Sequence, residues 1–138
     1  NWEPIQHQVE TFTEYLNIIP EIQLVHTGGH SNGHSIILLK QGKETMIHMA
    51  DLLLTHAHRK PVWVAAVDDY PMRSIIAKEK WLKEAFENHY KFFFYHDQFF
   101  AVVEFDHEGK EIVDYVKRIR EPRLPFTDKQ DRKPVLYH

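Results

Sequence analysis

The sequence has 138 residues, 43% of them apolar, and a formal charge of −3. Its length fits one domain. Its apolar content is near the roughly 45–50% of globular proteins, which argues against disorder. The charge balance argues against a nucleic-acid surface, no apolar run approaches the ~18 residues of a membrane span, and no secretory leader is visible. The lack of cysteine excludes disulfides and thiolate metal sites and fits a cytoplasmic location, and eleven histidines are a high load for this length.

The first half of the chain is predicted to hold one helix and three strands. Apolar residues three or four apart predict a helix over 4–17, with Pro4 in its first turn. Apolar runs predict strands over 22–27, 35–40 and 45–50, and a turn at 41–44 joins the last two as a hairpin.

The second half is predicted to begin with the strongest helix, 71–88. Its predicted apolar face comprises Met72, Ile75, Ile76, Leu82, Ala85 and Phe86, and the Lys78–Lys80 run is assigned to solvent. Asp68 and Asp69, just before this helix, are expected to cap it. Strands follow over 91–95, 99–105 and 110–117, the last two as a hairpin, and residues 119–138 form a C-terminal arm or tail.

The order of these elements brings three polar residues together. In a hairpin, the start of strand 35–40 lies beside the end of strand 45–50, so His30 and Asp51 share an edge of the sheet. A strand–helix–strand connection makes 91–95 parallel to 45–50 and places His96 at the same edge. Open α/β sheets bind ligands at such an edge.

Two imidazoles and a carboxylate are suitable ligands for zinc, manganese or iron. Each residue also has a plainer interpretation. His30 would cap the glycine-rich turn, Asp51 would stabilise a turn, and His96 would be a surface residue at a strand end.

Four motifs in order give the sequence a family resemblance. They are a histidine loop at 29–35 (GHSNGHS), a strand ending in aspartate at 47–51 (IHMAD), a proline-opened helix start at 68–71 (DDYP), and a strand ending in histidine at 92–97 (FFFYHD). Together they resemble the C-terminal half of the metallo-β-lactamase-fold hydrolase superfamily. The stretch is most similar to the branch of YtnP-type quorum-quenching lactonases and organophosphate-hydrolase-like enzymes.

The resemblance implies an α/β fold, half of an αββα sandwich with a mixed sheet and flanking helices, over residues 1–118. It also implies that His30 ligates one divalent ion, His96 a second, and Asp51 bridges both. Zinc is the expected metal, with manganese or iron as alternatives. His34 matches the second histidine of the loop, for which a supporting or structural role is expected.

The family's remaining ligands come from an HxHxDH motif that this sequence lacks. Residues 55–61 (THAHRKP) imitate it, but Lys60 and Pro61 occupy the positions where aspartate and histidine are needed. His56 and His58 are therefore predicted to line the substrate pocket at most. The phenolic tyrosine that some lactonases place three residues after the bridging aspartate is also absent, since Leu54 stands there.

The implied function is that of a fragment of a dinuclear-metal hydrolase, which uses a metal-activated hydroxide on a small lactone, ester or phosphoester. No catalytic residue beyond the metal ligands is assigned. Alone, the chain is expected to be inactive, and to associate with itself or with an N-terminal half through an exposed sheet face. The alternatives are a non-catalytic binding or interaction module, which metal content would distinguish, and a nuclease-type member of the superfamily.

Overall fold

The computed structural model describes residues 3–118. Within them lie seven strands and one α-helix: β1 Tyr15–Ile19, β2 Ile22–His26, β3 Ser35–Gln41, β4 Glu44–His48, α1 Pro71–Glu87, β5 Lys91–Phe93, β6 Phe100–Phe105 and β7 Ile112–Lys117. Three short 3₁₀ turns accompany them: Glu3–Gln8, Ala50–Leu52 and His56–His58. The predicted arm over 119–138 lies outside the described residues.

All seven strands form one sheet in chain order, β1 to β7. Every neighbouring pair is antiparallel except β4 and β5, which run parallel because α1 carries the chain back across the sheet between them. The β3–β4 and β6–β7 hairpins and the parallel β4–β5 pair were all expected from the sequence. The mixed sheet was thus predicted from the sequence. Within residues 3–118, no helix is long and apolar enough to cross a bilayer.

The predicted helix over 4–17 is wrong. Residues Glu3–Gln8 form a 3₁₀ turn with no buried side chain, and Tyr15–Ile19 form strand β1, paired with β2 from Tyr15↔Val25 to Ile19↔Ile22. Helix propensity is a weak preference that tertiary pairing overrides. Here the β-branched and aromatic residues of β1 gain a neighbouring strand, whereas a helix would have had no surface on which to bury its apolar face.

The core lies between α1 and one face of the sheet. Alternate residues of β3, β4, β5 and β6 point into it, and Leu82 and Ala85 of α1 cover them. The sheet residues of this core include Ile36, Leu38, Ile47, Phe92, Val103 and Phe105. The opposite face of the sheet has no helix against it among the described residues.

The predicted apolar face of α1 is partly wrong. Met72 and Ile76 are 66% and 65% exposed, whereas Lys78, assigned to solvent, is 1% exposed. The buried positions Ser74, Lys78, Leu82 and Ala85 follow the spacing of one helix face, which is rotated from the predicted one. A lysine occupies this face because its ammonium finds acceptors there: Nζ donates to the carbonyl oxygens of His58 and Trp63.

Lys78 therefore fastens the loop before α1 to the helix, and its loss should destabilise the chain. Lys78→Met fills similar volume but leaves two carbonyl groups without a donor. Since an unsatisfied buried group costs about 1–3 kcal/mol, we expect a loss of about that size in urea unfolding at pH 7. Lys80→Met, on the exposed side of the same helix, is the control and should change stability by less than about 0.5 kcal/mol. Equal effects of the two variants would contradict the assigned role.

The same residue predicts a pH dependence of stability. Burial lowers the pKa of Lys78 from its ordinary value of 10.5 to about 8. Between these values the unfolded chain binds more protons than the folded chain, so stability rises with pH in this window. The stability of the native chain relative to Lys78→Met should therefore increase from pH 8 to 10.5 in parallel denaturation curves. A difference that is constant or falls with pH would contradict the prediction.

Candidate metal centre

Three strand ends bring His30, Asp51 and His96 together, as the topology predicted. His30 lies in the loop before β3, Asp51 in the 3₁₀ turn after β4, and His96 in the loop after β5. Asp51 is central: its Oδ2 is 3.2 Å from His30 Nε2 and its Oδ1 is 3.3 Å from His96 Nε2. One carboxylate thus offers a separate oxygen to each imidazole.

The hydrogen bond of His30 determines which of its ring nitrogens has a lone pair for a cation. The Nδ1 of His30 lies 2.8 Å from Asp68 Oδ1, and a carboxylate accepts, so Nδ1 carries a proton. In the neutral imidazole, Nε2 then points a lone pair at Asp51 Oδ2. Two lone pairs repel each other at this distance unless a proton or metal ion lies between them. The chemistry of the donors therefore fits a metal ion at this position.

Asp68 orients His30, a role that was not expected from the sequence. It was expected to cap α1, but the helix begins after Tyr70 without any side-chain cap. The Asp68 side chain is instead 1% exposed and bonded to the imidazole. Backbone bonds from Asp69 N to His30 O and from Tyr70 N to Gly29 O hold the two segments together.

His34 supports the site from behind. Its Nε2 accepts a hydrogen bond from the backbone nitrogen of Asp51 at 3.2 Å, so its proton is on Nδ1, which lies 2.7 Å from Thr27 Oγ1. Burial, assisted by the nearby His30, lowers the pKa of His34 and keeps the ring neutral. Both ring nitrogens are occupied by the protein, so His34 has no free nitrogen for a metal.

Tyr95 is a residue of this site that the sequence reasoning missed. Its hydroxyl donates to Asp51 Oδ1, and its ring packs against those of His96 and His48 at centroid distances of 4.0 and 5.0 Å. Burial, together with the bond to Asp51, raises the pKa of Tyr95 to about 12. The strand run 91–95 was interpreted as core, yet alternation after the buried Phe94 places Tyr95 on the other side of the chain.

His56 and His58 make no contact with the three clustered residues. His56 Nδ1 is 2.5 Å from Asp97 Oδ2, and His58 Nδ1 is 2.7 Å from Thr55 Oγ1. Burial, followed by the charge of Lys78, lowers the pKa of His58. His56 borders a cavity of about 400 Å³ together with Gln98, Phe99, Phe100, Lys117 and Arg118. A role of the two histidines in a substrate pocket stays a prediction.

Within residues 3–118, no three histidine, aspartate or glutamate side chains converge on one point as a complete metal site requires. Asp51 and His30 form one pair of donors, and Asp51 and His96 form another. A catalytic zinc ion usually has three protein ligands and a structural one four. The arrangement accordingly has the donor set of two half-sites that share a carboxylate.

The sequence matches no protein-family model and no curated protein, but solved structures resemble the chain. A probable metal-dependent hydrolase from Staphylococcus aureus is 36% identical with a TM-score of 0.81, over 84% of this chain and 42% of that one. AidC, a dizinc quorum-quenching lactonase, is 15% identical with a TM-score of 0.66, over 87% and 41%. Hydrolase AbOPH of the β-lactamase superfamily is 17% identical with a TM-score of 0.62, over 88% and 43%.

The sheet and these neighbours show the fold: the chain has the fold of one half of a metallo-β-lactamase-type α/β domain. AidC and AbOPH, at 15% and 17% identity, show that this fold is shared with the kinds of enzyme that the sequence motifs resemble. The chain spans less than half the length of each of these structures.

Proposed function

We propose that this chain supplies one half of the dinuclear metal centre of a hydrolase. The observation that carries the proposal is the placement of Asp51, whose two oxygens face the Nε2 atoms of His30 and His96 at 3.2 and 3.3 Å. His30 would hold one divalent ion, His96 the other, and Asp51 both. The similarity to a probable metal-dependent hydrolase and to a dizinc lactonase supports zinc, with manganese or iron as alternatives.

Bound to this site, a pair of divalent ions would lower the pKa of water toward 7 and neutralise negative charge that develops on a carbonyl or phosphoryl oxygen. The chain itself would contribute position and charge. Asp68 would hold His30 in the tautomer with a free Nε2, and His34 would fix the Asp51 backbone. The substrate class is a small lactone, ester or phosphoester, by analogy with neighbours that bind acyl-homoserine products.

The second half of the fold would cover the sheet face opposite α1. Cross-strand partners share a face, so Ile37, Leu39, Met46, Phe93 and Val102 lie on this side. They are only partly buried among the described residues and form the apolar part of a face that also carries Lys91 and Glu104. Apolar surface of this kind favours association. We propose that an N-terminal half, or in its absence a second copy of the chain, packs there. A clean monomer in light scattering at high concentration would count against this.

The isolated chain should not hydrolyse lactones or phosphotriesters. Each ion would have only two protein donors, one of them shared, so water would complete most of its coordination. We expect turnover indistinguishable from the buffer rate in assays with added zinc or manganese. Robust hydrolysis by the 138-residue chain alone would contradict the division of the site between two halves.

Fusion to a complementary half tests the function itself. The part of the Staphylococcus aureus protein that this chain does not cover would be joined to residues 1–138. Hydrolysis by this fusion, lost on Asp51→Asn, is the expected result. A folded fusion that binds no metal would favour the alternative of a non-catalytic interaction module, for which the incomplete donor set of this chain is the supporting observation.

A further inference from the structure

The loop that carries Tyr95 and His96 is held by a cluster of hydrogen bonds centred on Asp97. The Asp97 side chain is 1% exposed and accepts four of them. Its Oδ2 receives the backbone N–H and the Nδ1–H of His56, at 2.9 and 2.5 Å, and its Oδ1 receives the backbone N–H groups of Phe99 and Phe100, at 2.8 and 3.0 Å.

The four donors together use both oxygens of the Asp97 carboxylate. A buried carboxylate with all its acceptor positions used is a fixed anchor, since breaking any one bond leaves charge unsatisfied in the protein interior.

The cluster joins three segments that are distant in sequence. His56 belongs to the 3₁₀ turn after Asp51, and Asp97 follows His96 directly. From the third side, Arg118 at the end of β7 donates its Nε–H to Asp97 O and its Nη2–H to Phe94 O, at 2.8 and 2.6 Å. The backbone is therefore tied on both sides of Tyr95 and His96. His96 itself is 52% exposed, and its one close polar contact within residues 3–118 is with Asp51.

The pair formed by His56 and Asp97 has the same construction as the pair formed by His30 and Asp68. In both pairs an imidazole that is 23% exposed gives its Nδ1–H to an aspartate side chain that is 1% exposed. The aspartate orients the histidine in the His30 pair. In the His56 pair the histidine also holds the aspartate in place. This matters because Asp97 directly follows His96, the residue that must be positioned. The imidazole of His56 packs edge-on against Phe100 at 4.9 Å, which restrains it further.

We propose that His56 is a positioning residue for His96. It acts by donating Nδ1–H to Asp97 and thereby fixes the loop that presents the His96 imidazole to Asp51. The inference rests on the proposed function in one respect, that the positioned His96 imidazole serves to bind metal. The anchoring of the loop can be measured without any metal.

The variant His56→Ala removes the side-chain donor, and His56→Asn restores it, because the amide nitrogen of asparagine occupies nearly the place of Nδ1. His58→Ala is the matched control in the same 3₁₀ turn, since His58 bonds to Thr55 and makes no bond to Asp97. All three would be made in the full 138-residue chain, with a dispersed amide spectrum as evidence that each is folded.

Two NMR measurements test the proposal. The first is hydrogen exchange at the Phe99 and Phe100 amides, which should become about tenfold faster or more in His56→Ala, return most of the way in His56→Asn, and stay unchanged in His58→Ala. The second is the shift of the imidazole nitrogen resonances on addition of Zn²⁺, which reports direct contact with the metal at each ring. In His56→Ala it should weaken severalfold at His96 while that at His30 is retained, and His56→Asn should restore it.

Unchanged exchange at both amides together with unchanged His96 signals in His56→Ala would overturn the proposal. If His56→Asn fails to restore the native pattern while remaining folded, donation to Asp97 is not the role of His56, and the proposal fails as well. Zn²⁺ that shifts the resonances of none of His30, Asp51 and His96 in the native chain would instead refute the proposed metal centre. Exchange rates and the His96 ring resonances would then decide the positioning role.

Discussion

Replacing Gly29 with alanine is expected to lower the free energy of unfolding by about 2–5 kcal/mol. Gly29 has φ +95°, which side chains disfavour, and a Cβ there would lie 2.7 Å from Ser74 Oγ and 2.8 Å from its backbone nitrogen. Backbone strain costs about 1–3 kcal/mol and overpacking a similar amount. The helix backbone cannot yield as a flexible side chain would, so the loop that carries His30 must move. Urea unfolding followed by circular dichroism measures the loss.

Gly33→Ala in the same loop is the control for this prediction. Gly33 has no positive φ, and a Cβ there would meet nothing within 4 Å. Its replacement should leave stability within about 1 kcal/mol of the native value and could raise it by restricting the unfolded chain. If the two variants had the same unfolding midpoint, the close approach of Gly29 to α1 would not matter for stability.

Asp51→Asn should weaken divalent metal binding at both half-sites together. An amide has the shape of a carboxylate but no charge, and it can turn only one oxygen toward a metal. Even changes outside the direct ligands typically cost 10–100-fold in metal affinity, so loss of a ligand shared by two ions should cost at least about 100-fold. Competition with a coloured zinc chelator would measure this in the full chain, and better in a fusion that completes the site.

The charge-matched control for this loss is Asp69→Asn. Asp69 is exposed, and its backbone N–H donates to His30 O, a bond that the substitution keeps. The metal affinity of the Asp69→Asn variant should stay within about twofold of that of the native chain. His30→Ala is the informative comparison, because it should remove one ion and spare the other. Zinc affinity that is equal in Asp51→Asn and the native chain would exclude Asp51 as the bridging ligand.

Much of the sheet could be predicted because strand and turn signals are local. The runs at 35–40 and 45–50, separated by a four-residue turn, leave little choice but a hairpin, and the long helix after it forces a parallel return. The first strand could not be predicted in the same way. Residues 15–19 show an ambiguous apolar pattern, and only pairing with β2 selects the extended form.

The candidate site, like the sheet, was predictable from the sequence only in part. His30, Asp51 and His96 lie at strand ends, and chain order alone gathers strand ends at one edge of a sheet. Asp68, Tyr95 and Asp97 act through side-chain directions and burial, which no spacing rule specifies. Lys78 is the clearest case: a lysine followed by Glu79 and Lys80 indicates solvent, and only the carbonyl groups of His58 and Trp63 make its burial favourable.

The sequence by itself determined the parallel connection and the three residues that meet at the sheet edge, because these depend on the order and period of apolar runs, and the resemblance of its motifs indicated the class of fold. The tertiary structure alone decided which groups orient them. Asp68 fixes the ring of His30, and Tyr95 donates to Asp51 beside His96. Hydrogen bonds between segments that are 38 to 44 residues apart depend on distances of a few ångströms, which only the folded backbone sets.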